Sequence, residues 1–453
     1  MTDLPVVARD RLAALRAREE GTFADRHPKS RALFEQARSH LLGGVPMNWM
    51  RRWPGAFPLF VVEAEGARFT DVDGHSYIDF CLGDTGAMTG HAPPATIEAI
   101  TAQAPRGLTA MLPTEDALWV GDELTRRFGL GTWQLALSAT DANRFALRLA
   151  RYATGRSKIL VFNWCYHGTV DETLATLDAS GNVVSRPGST GPSVDPALTT
   201  AVVEFNDVEG LERALATEDI ACVLAEPALT NIGIVLPEPG FHDALRALTR
   251  STGTLLVIDE THTICAGPGG ATAEWGLDPD LFVIGKPIAG GVPAAAYGMS
   301  DAVAARVAEV MAGDDTDVSG IGGTLAANAL SVAAIRATLA TALRAEDFAV
   351  AVPRAERWAA GVAEVIAHHD LPWNVQRLGA RAEYWFCPPP RTGGDAAAAV
   401  DHELDAFLHL YALNRGILLT PFHNMALCCP AHTDADVDRH TEVFADAVTE
   451  LVA

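Results

Sequence analysis

Short apolar runs of strand length alternate with helical stretches through the middle of the chain. The runs cover residues 133–137, 159–162, 201–205, 221–225, 254–258 and 281–284. Helical patterns lie between most of them, for example at 141–152 and 240–252. Nearly continuous apolar runs are typical of strands that are buried on both faces. Their alternation with helices predicts an α/β fold with a mostly parallel central sheet flanked by helices.

The two ends of the chain show a different pattern. Residues 9–40 look helical, and apolar runs at 59–64 and 67–71 flank a turn. Asp73-Gly74 between apolar runs is a strong hairpin signal, so we expect a small antiparallel sheet here. Beyond about residue 325, alanine-rich helices dominate, with strands expected at 383–386 and 417–420. We predict an N-terminal segment (1–85), a large domain (86–330) and a small α+β domain (331–453) that packs with the N-terminal segment.

Composition narrows the class of protein. The 453 residues are 49% hydrophobic, which is ample for a core, and the formal charge of -23 argues against nucleic acid as a partner. The longest apolar runs are too short to cross a bilayer, and the charged N-terminal helix lacks the core of a signal peptide. Seven scattered cysteines have no metal-ligand spacing. We therefore expect a cytoplasmic, reduced protein with no metal site and no membrane partner.

Lysine is rare in this chain. There are three lysines, Lys29, Lys158 and Lys286, against 31 arginines. An arginine guanidinium forms no stable imine and does not readily lose its proton. A lysine amine can form an imine and can lose its proton. Lys286 follows the apolar run 281–284 and is surrounded by glycines, where partial desolvation favours a neutral, nucleophilic amine.

Ligands bind at the carboxyl ends of strands in open parallel sheets, so the residues that follow each run are informative. Ser138-Ala139-Thr140 follows the first run and starts a helix, which indicates either an anion site or an ordinary N-cap. Tyr166 and His167 follow the second run, as a stacking aromatic and its neighbour or as loop and core residues.

Carboxylates follow two further runs. Glu226 comes after 221–225, and Asp259 comes after 254–258. A buried carboxylate needs a cationic partner, either a protonated pyridine nitrogen or an arginine. An anion-binding helix start, an aromatic, an acid and Lys286 at one sheet edge are together the requirements for binding pyridoxal 5′-phosphate (PLP).

These motifs resemble those of class III aminotransferases of PLP fold type I, especially the branch that contains glutamate-1-semialdehyde 2,1-aminomutase. The resemblance runs from about residue 30 to 445. The matching stretches read ARFTDVDGHSYIDF, SATDANRFALRLARYATGRSKI, CYHG, AEPALTNIG, VIDETHT, PDLFVIGKPIAGGVP and GGTLAANALSVAA.

The resemblance implies a role for each matching residue. Lys286 corresponds to the lysine that forms the Schiff base and shuttles the proton, and Asp259 to the partner of the pyridine nitrogen. The other implied cofactor contacts are the phosphate cradle Ser138, Ala139 and Thr140, the stacking Tyr166 with His167, the O3′-side residues Glu226 and Asn231, and Thr261 under the ring. Thr324 corresponds to a threonine that reaches the phosphate of the neighbouring subunit, which implies a homodimer with shared active sites.

Departures from the family pattern fall at the edges of the cofactor and on the substrate side. Ala139 replaces a glycine of the phosphate loop, and Thr261 and His262 replace a valine and a less polar neighbour. Asp84-Thr85 replaces the Ser-Trp pair of the aminomutase. A substrate other than glutamate 1-semialdehyde would be consistent with these changes.

Arginines near residue 50 are candidates for substrate binding. Arg51 and Arg52 lie in a Gly- and Pro-rich loop, where a bidentate guanidinium suits a carboxylate; either one is equally consistent with a solvated loop residue. Trp49 walls the pocket or pins the loop. Residues 421–424 contain no arginine, which favours an amine, a β-amino acid or a monocarboxylate over a dicarboxylate.

Three functions are consistent with the sequence. The first is a transaminase that moves an amino group from an amine or amino acid donor to an oxo-acid acceptor in two half-reactions. The second is an aminomutase, which exchanges the two groups within one molecule. The third is a cofactor-free α/β binding protein, which the absence of GxGxxG and Walker motifs disfavours.

Overall fold

The computed structural model describes residues 7–191, 194–311 and 320–453, without the side chains of 310 and 311. The helices within these residues are α1 (Arg9–Arg26), α2 (Pro28–Ala37), α3 (Pro94–Gln103), α4 (Asp116–Phe128), α5 (Ala139–Thr154), α6 (Val208–Leu215), α7 (Phe241–Thr252), α8 (Gly270–Glu274), α9 (Asp301–Met311), α10 (Ala329–Thr341), α11 (Ala345–His368), α12 (Gly393–Ala398), α13 (His402–Leu413) and α14 (Asp434–Val452). The strands are β1 (Val61–Glu65), β2 (Arg68–Asp71), β3 (Ser76–Asp79), β4 (Thr132–Ala136), β5 (Lys158–Phe162), β6 (Ala175–Leu177), β7 (Val183–Ser185), β8 (Thr200–Val203), β9 (Ile220–Ala225), β10 (Leu255–Asp259), β11 (Leu281–Ile284), β12 (Ala295–Met299), β13 (Asn374–Leu378), β14 (Arg381–Trp385), β15 (Ile417–Leu418) and β16 (Met425–Leu427).

The chain forms two compact units. The first combines Met1–Pro93, Glu346–Pro389 and Ala399–Ala453, and the second combines Pro94–Ala345 with Pro390–Ala398.

The second unit contains a seven-stranded sheet in the order β4-β12-β11-β10-β9-β5-β8. All six apolar runs of the sequence form strands of this sheet, and the prediction of a mostly parallel α/β fold is confirmed. The exception is β12, which no apolar run in the sequence predicts and which is antiparallel to both β11 and β4. Its sequence, AAYGM, is fully buried but contains none of the β-branched residues that are typical of a strand.

The direction of the strands brings their carboxyl ends to one edge. Strands β8, β5, β9, β10 and β11 are parallel to one another, and β4 points the same way because two antiparallel pairings separate it from β11. Residues of β9 and β11 are buried throughout, which explains their continuous apolar sequence. The residues that follow these strands therefore meet at one edge of the sheet.

The first unit contains two small sheets. Strands β1, β2 and β3 form the predicted small antiparallel sheet, and β15 from the C-terminal part adds to β3 in parallel. Strands from the N- and C-terminal segments thus share one sheet. The second sheet has the order β13-β14-β16. Aromatic side chains fill the core beneath the first sheet: Phe23, Phe57, Phe69 and Tyr77.

All seven cysteines lie in described parts of the chain and none is paired with another. Of the helices within the described residues, none has the length and hydropathy that a membrane span requires.

Candidate active site

A buried carboxylate stands at the end of β10. Asp259 is 3% exposed, and its Oδ2 accepts hydrogen bonds from Nδ2 of Asn143 at 2.8 Å and from Nδ1 of His167 at 2.9 Å. Its Oδ1 accepts the backbone N–H of Thr261 at 3.0 Å. The ionic partner of Asp259 is therefore His167 rather than the arginine considered as an alternative.

The charge state of this pair follows from its surroundings. Burial alone would raise the pKa of Asp259, but the hydrogen bond and charge of His167, with the bonds from Thr261 and Asn143, lower it to about 2. Burial alone would lower the pKa of His167, but the neighbouring Cys165 and Asp259 raise it well above its ordinary value. Asp259 is thus an anion at neutral pH, although it is almost fully buried.

The polar atoms around Asp259 leave room for another partner. A carboxylate offers about four acceptor positions, and three of those of Asp259 are used. Within the described residues, three buried atoms beside it have no hydrogen-bond partner: Nε2 of His167, Oδ1 of Asn143 and Oγ1 of Thr261. Unpartnered buried polar atoms are costly, and a flat heterocycle with one protonated nitrogen fits the remaining acceptor position. The residues present therefore fit PLP.

The second carboxylate of the sequence pair, Glu260, has a separate task. Successive side chains of a strand point to opposite faces, and the carboxylate of Glu260 accepts hydrogen bonds from Thr263 Oγ1 at 2.6 Å and from Ala271 N–H at 3.2 Å. Burial outweighs these bonds and raises the pKa of Glu260 to about 7. Glu260 therefore ties the start of α8 to the end of β10.

Lys286 follows β11 in a strained backbone conformation. Its φ is 49°, in the left-handed region, where non-glycine residues occur mostly at turns or functional sites. The preceding Gly285 lies against the first turn of α5, and a Cβ on it would be 3.0 Å from the Cβ of Ala139. The missing side chain of Gly285 thus allows the lysine segment to approach the predicted phosphate cradle closely. At the other end of Lys286, Nζ contacts Nε2 of His262.

A chain of hydrogen bonds continues from His262 away from the lysine. Nδ1 of His262 is 2.9 Å from Oγ1 of Thr230, and the Thr230 hydroxyl donates to Oε2 of Glu226. The other carboxylate oxygen of Glu226 accepts the backbone N–H of Tyr166 at 3.4 Å. Burial raises the pKa of Glu226. Lys286 and Glu226 are thereby connected through two side chains.

The predicted phosphate cradle is the start of α5. Ser138 is the N-cap, and its Oγ accepts the N–H of Asp141 at 3.2 Å and donates to the Asp141 carboxylate at 3.0 Å. Ala139 is the first helical residue and does not have a positive φ, so it replaces glycine without strain. Thr140 Oγ1 accepts the N–H of Thr169 at 3.1 Å, which ties the loop after β5 to this helix start.

The remaining predicted cofactor residues lie in the same unit. His167 is buried, and Tyr166 is partly buried between it and Cys165 in the loop after β5. Nδ2 of Asn231 donates to the carbonyl of Trp164 at 3.3 Å, on that same loop. Thr324 is exposed, in a turn that precedes α10. Cofactor contacts of these residues stay predictions.

The predicted substrate residues belong to the other unit. Trp49 and Arg51 lie on a short 3-10 helix, Asn48–Arg51, and Arg52 follows it. Both arginines are exposed, and the Arg51 side chain packs against Gly43. The ring of Trp49 meets that of Phe422 edge-on, with centroids 5.5 Å apart. Their role in substrate binding stays a prediction.

Three residues of the site are absent from the sequence-based set: Asn143, Thr230 and His262. The sequence marks His262 as a polar replacement but assigns it no task. Asn143 is fully buried on the amphipathic helix α5. A polar residue on the buried face of a helix is unusual, and this position was the one signal in the sequence that could have marked Asn143. Thr230 carries no signal of its own, because its task depends on a histidine 32 residues away.

Known proteins of one family match this chain over nearly its whole length. The model of the class III aminotransferase family matches residues 49–448. A glutamate-1-semialdehyde 2,1-aminomutase from Desulfitobacterium hafniense is 35% identical over 93% of this chain and 98% of its own length. The corresponding protein from Chloroflexus aurantiacus is 36% identical over 95% of this chain and 98% of its own length.

Solved structures agree with this match. A glutamate-1-semialdehyde aminomutase from Pseudomonas aeruginosa PAO1 is 51% identical, with a TM-score of 0.97 over 98% of this chain and 99% of that one. A lysine-to-alanine variant of that protein has been solved in complex with PMP. This chain therefore belongs to the class III aminotransferases and is a PLP-dependent enzyme.

Proposed function

We propose that this enzyme is an aminomutase, which exchanges an amino and an oxo group within one molecule, and that glutamate 1-semialdehyde is its substrate. The observation that carries the proposal is the 51% identity, over 98% of the chain, to the aminomutase from Pseudomonas aeruginosa. Relatives named glutamate-1-semialdehyde 2,1-aminomutase at 34–37% identity support it further. They favour this function over transamination between two molecules.

Lys286 and Asp259 would perform the central tasks. PLP supplies an electron sink when it is bound. The Lys286 amine would hold the aldehyde carbon of the cofactor and then carry a proton between two carbon atoms. Asp259 stays ionised with a pKa of about 2 and would keep the ring nitrogen protonated. His167 and Asn143 fix the orientation of this carboxylate before the cofactor arrives.

Other residues would position the cofactor. The first N–H groups of α5, from Ala139 onward, would bind the phosphate, because a helix N-terminus favours an anion. Tyr166 would stack on the ring, with Thr261 on its opposite side. Glu226 and Asn231 would lie on the O3′ side.

The substrate has one carboxylate, which matches the expectation of a single carboxylate-binding site. Arg51 or Arg52 would bind it as a bidentate partner, and Trp49 would wall the pocket. A bond between charged groups contributes roughly 1.5–3 kcal/mol, which corresponds to a rise in KM of about 10- to 100-fold when the correct arginine is removed.

We also propose a cytoplasmic homodimer with shared sites. Thr324 is exposed and would reach the phosphate of the second subunit. Several large apolar side chains of the same unit are more than 45% exposed, which is unusual for a surface that faces water only. They are Ile97, Leu108, Met111, Leu112, Leu118 and Leu325.

A transaminase is the second candidate. An omega-transaminase from Sphaerobacter thermophilus is 28% identical with a TM-score of 0.84 over 94% of this chain and 98% of that one. A β-phenylalanine aminotransferase from Variovorax paradoxus is 27% identical with a TM-score of 0.86 over 97% of both chains. The replacement of the Ser-Trp pair of the aminomutase by Asp84-Thr85 also favours this candidate.

One experiment separates the two functions. The purified enzyme is incubated with glutamate 1-semialdehyde carrying a nitrogen-15 amino group, with and without unlabelled 2-oxoglutarate or pyruvate. An aminomutase converts the substrate without an oxo acid and keeps the label in the product. Transfer of the label to glutamate or alanine, with no conversion of the semialdehyde alone, would favour the transaminase. Lys286→Ala is the inactive control.

A further inference from the structure

We infer that His262 accepts the proton that Lys286 must lose before it attacks an aldehyde, and that Thr230 and Glu226 hold His262 ready for this task. The inference adds to the proposed function and rests on it only in one respect, the covalent role of Lys286. It is carried by the continuous contacts from Nζ of Lys286 to the Glu226 carboxylate.

The donors and acceptors in this series of hydrogen bonds determine which ring nitrogen of His262 carries the hydrogen. A threonine hydroxyl has one hydrogen, and that of Thr230 is given to Glu226. Towards Nδ1 of His262, at 2.9 Å, Thr230 Oγ1 must therefore accept. Nδ1 then carries the hydrogen, and Nε2 presents a lone pair to the Lys286 amine.

This arrangement is suited to proton removal as well as to orientation. When Lys286 is an ammonium, one N–H bond of Nζ breaks and an N–H bond forms at Nε2 of His262. The Nδ1 hydrogen passes to Thr230, and the original Thr230 hydrogen passes to Glu226. The result is a neutral amine and a neutral carboxylic acid, with no charge separated across the site and no other reactant.

The position of Glu226 favours it as the final proton acceptor. Glu226 is 3% exposed, and a buried carboxylate gains more than an exposed one from becoming neutral. Burial raises the pKa of Glu226, while the charge of His167 and the bond from Thr230 oppose this effect and the Asp259 charge adds to it. The titratable groups that act on Glu226 are thus His167 and Asp259, which form an ion pair with each other.

Competitive labelling of the lysines tests this inference. The full-length protein, freed of cofactor, is treated with formaldehyde and cyanoborohydride over a range of pH, and each lysine is followed by peptide mass spectrometry. Only neutral amines react. Because the chain has three lysines, Lys29 and Lys158 are internal references in the same sample. Lys158 is paired with Asp219 at 2.7 Å and is the first residue of β5, at the opposite end of that strand from the carboxyl edge.

Four substitutions separate the possible roles of the hydrogen-bonded residues Thr230 and His262. Thr230→Val removes the hydroxyl while keeping the shape, and Thr230→Ser restores it. His262→Gln keeps a hydrogen-bonding side chain that cannot take up a proton. Thr249→Val is the matched control, because Thr249 is also buried but its hydroxyl donates to a carbonyl within α7.

We expect Lys286 in Thr230→Val and His262→Gln to react roughly 10-fold or more slowly relative to Lys29 near neutral pH, since a positioned acid–base group typically contributes 10²- to 10⁴-fold. Thr230→Ser and Thr249→Val should match the unsubstituted protein. Equal labelling of Lys286 in His262→Gln and the unsubstituted protein would overturn the proton-acceptor role.

Failure of this inference is distinguishable from failure of the proposed function. The labelling needs neither substrate nor cofactor, so it is independent of which amino compound the enzyme converts. Unchanged Lys29 and Lys158 labelling and an unchanged unfolding temperature would show that each variant is folded. If Lys286 instead reacts no faster than Lys29 in the unsubstituted protein, the contact with His262 does not activate it.

Discussion

The side-chain amide of Asn143 donates a hydrogen bond of 2.8 Å to Oδ2 of Asp259, across 116 residues of sequence. The same oxygen accepts the bond from His167. A helix and a loop that belong to two different strand–helix connections thus hold one carboxylate in a single orientation. Preorganised groups of this kind need no rearrangement when a ligand binds.

The free energy of unfolding at acid pH should depend on the charge of Asp259. Its folded pKa of about 2 lies below the ordinary value of 3.8, so its contribution to stability is present above pH 4 and is lost as the pH falls towards 2. The difference corresponds to about 2 kcal/mol. Urea unfolding between pH 5 and pH 2 should therefore show a steeper loss of stability in the unsubstituted protein than in Asp259→Asn.

Asp278→Asn is the control for this measurement, because Asp278 is on the surface, with a side chain 58% exposed. Its stability should fall with pH in parallel with that of the unsubstituted protein. If Asp259→Asn also ran parallel, the carboxylate would not be the low-pKa group that the structure indicates.

Gly168→Ala should damage the loop that carries Tyr166 and His167. Gly168 has φ of 79°, and a Cβ on it would lie 2.1 Å from Oγ1 of Thr140. Left-handed backbone costs an L residue about 1–2 kcal/mol, and the steric clash adds to this cost. We expect the free energy of unfolding to fall by about 2–4 kcal/mol and the affinity for PLP to weaken.

Gly181→Ala is the matched control, since Gly181 has φ of 80° but no atom within 4 Å of the added Cβ. It measures the backbone cost alone. Equal losses of stability in the two variants would mean that the loop adapts to Thr140 without a steric penalty.

Lys286→Ala should abolish the visible absorbance of the PLP-loaded protein and lower turnover by roughly 10²- to 10⁴-fold or more, the range for loss of a proton-transfer group. The physical reason is that no other nucleophilic amine stands at this sheet edge among the described residues. Lys158→Ala, which breaks only an exposed pair with Asp219, should keep both colour and turnover. Persistence of the absorbance in Lys286→Ala would refute the assignment.

A mixed dimer should show that the active sites are shared. The protein is expected to elute at about twice its chain mass of 48.0 kDa. One subunit carries Lys286→Ala and the other Thr324→Ala, with different affinity tags. If Thr324 serves the neighbouring site, one of the two sites is intact, and about half of the unsubstituted activity remains.

The Thr324→Ala homodimer is the reference for this test, because both of its sites lack the threonine. If the activity of the mixed dimer is no more than half of the activity of the Thr324→Ala homodimer, Thr324 lies in its own subunit's site or outside both sites.

The sequence by itself determined the main architecture and the position of Asp259 and Lys286. Apolar runs buried on both faces are readable as strands, and the residue that ends each run must lie at the sheet edge. β12 could not be predicted in this way because its sequence consists mostly of small residues. It forms a strand because it pairs with β11 and β4.

The tertiary structure decided which groups act on these two residues. Asn143 and His167 reach Asp259, and Thr230 and His262 reach Lys286, through contacts that no local pattern specifies. A hydrogen bond depends on distances of a few tenths of an ångström, which only the packing of the helices and loops on the sheet defines. Composition and periodicity determine which segments are buried, whereas this packing determines which buried polar groups meet.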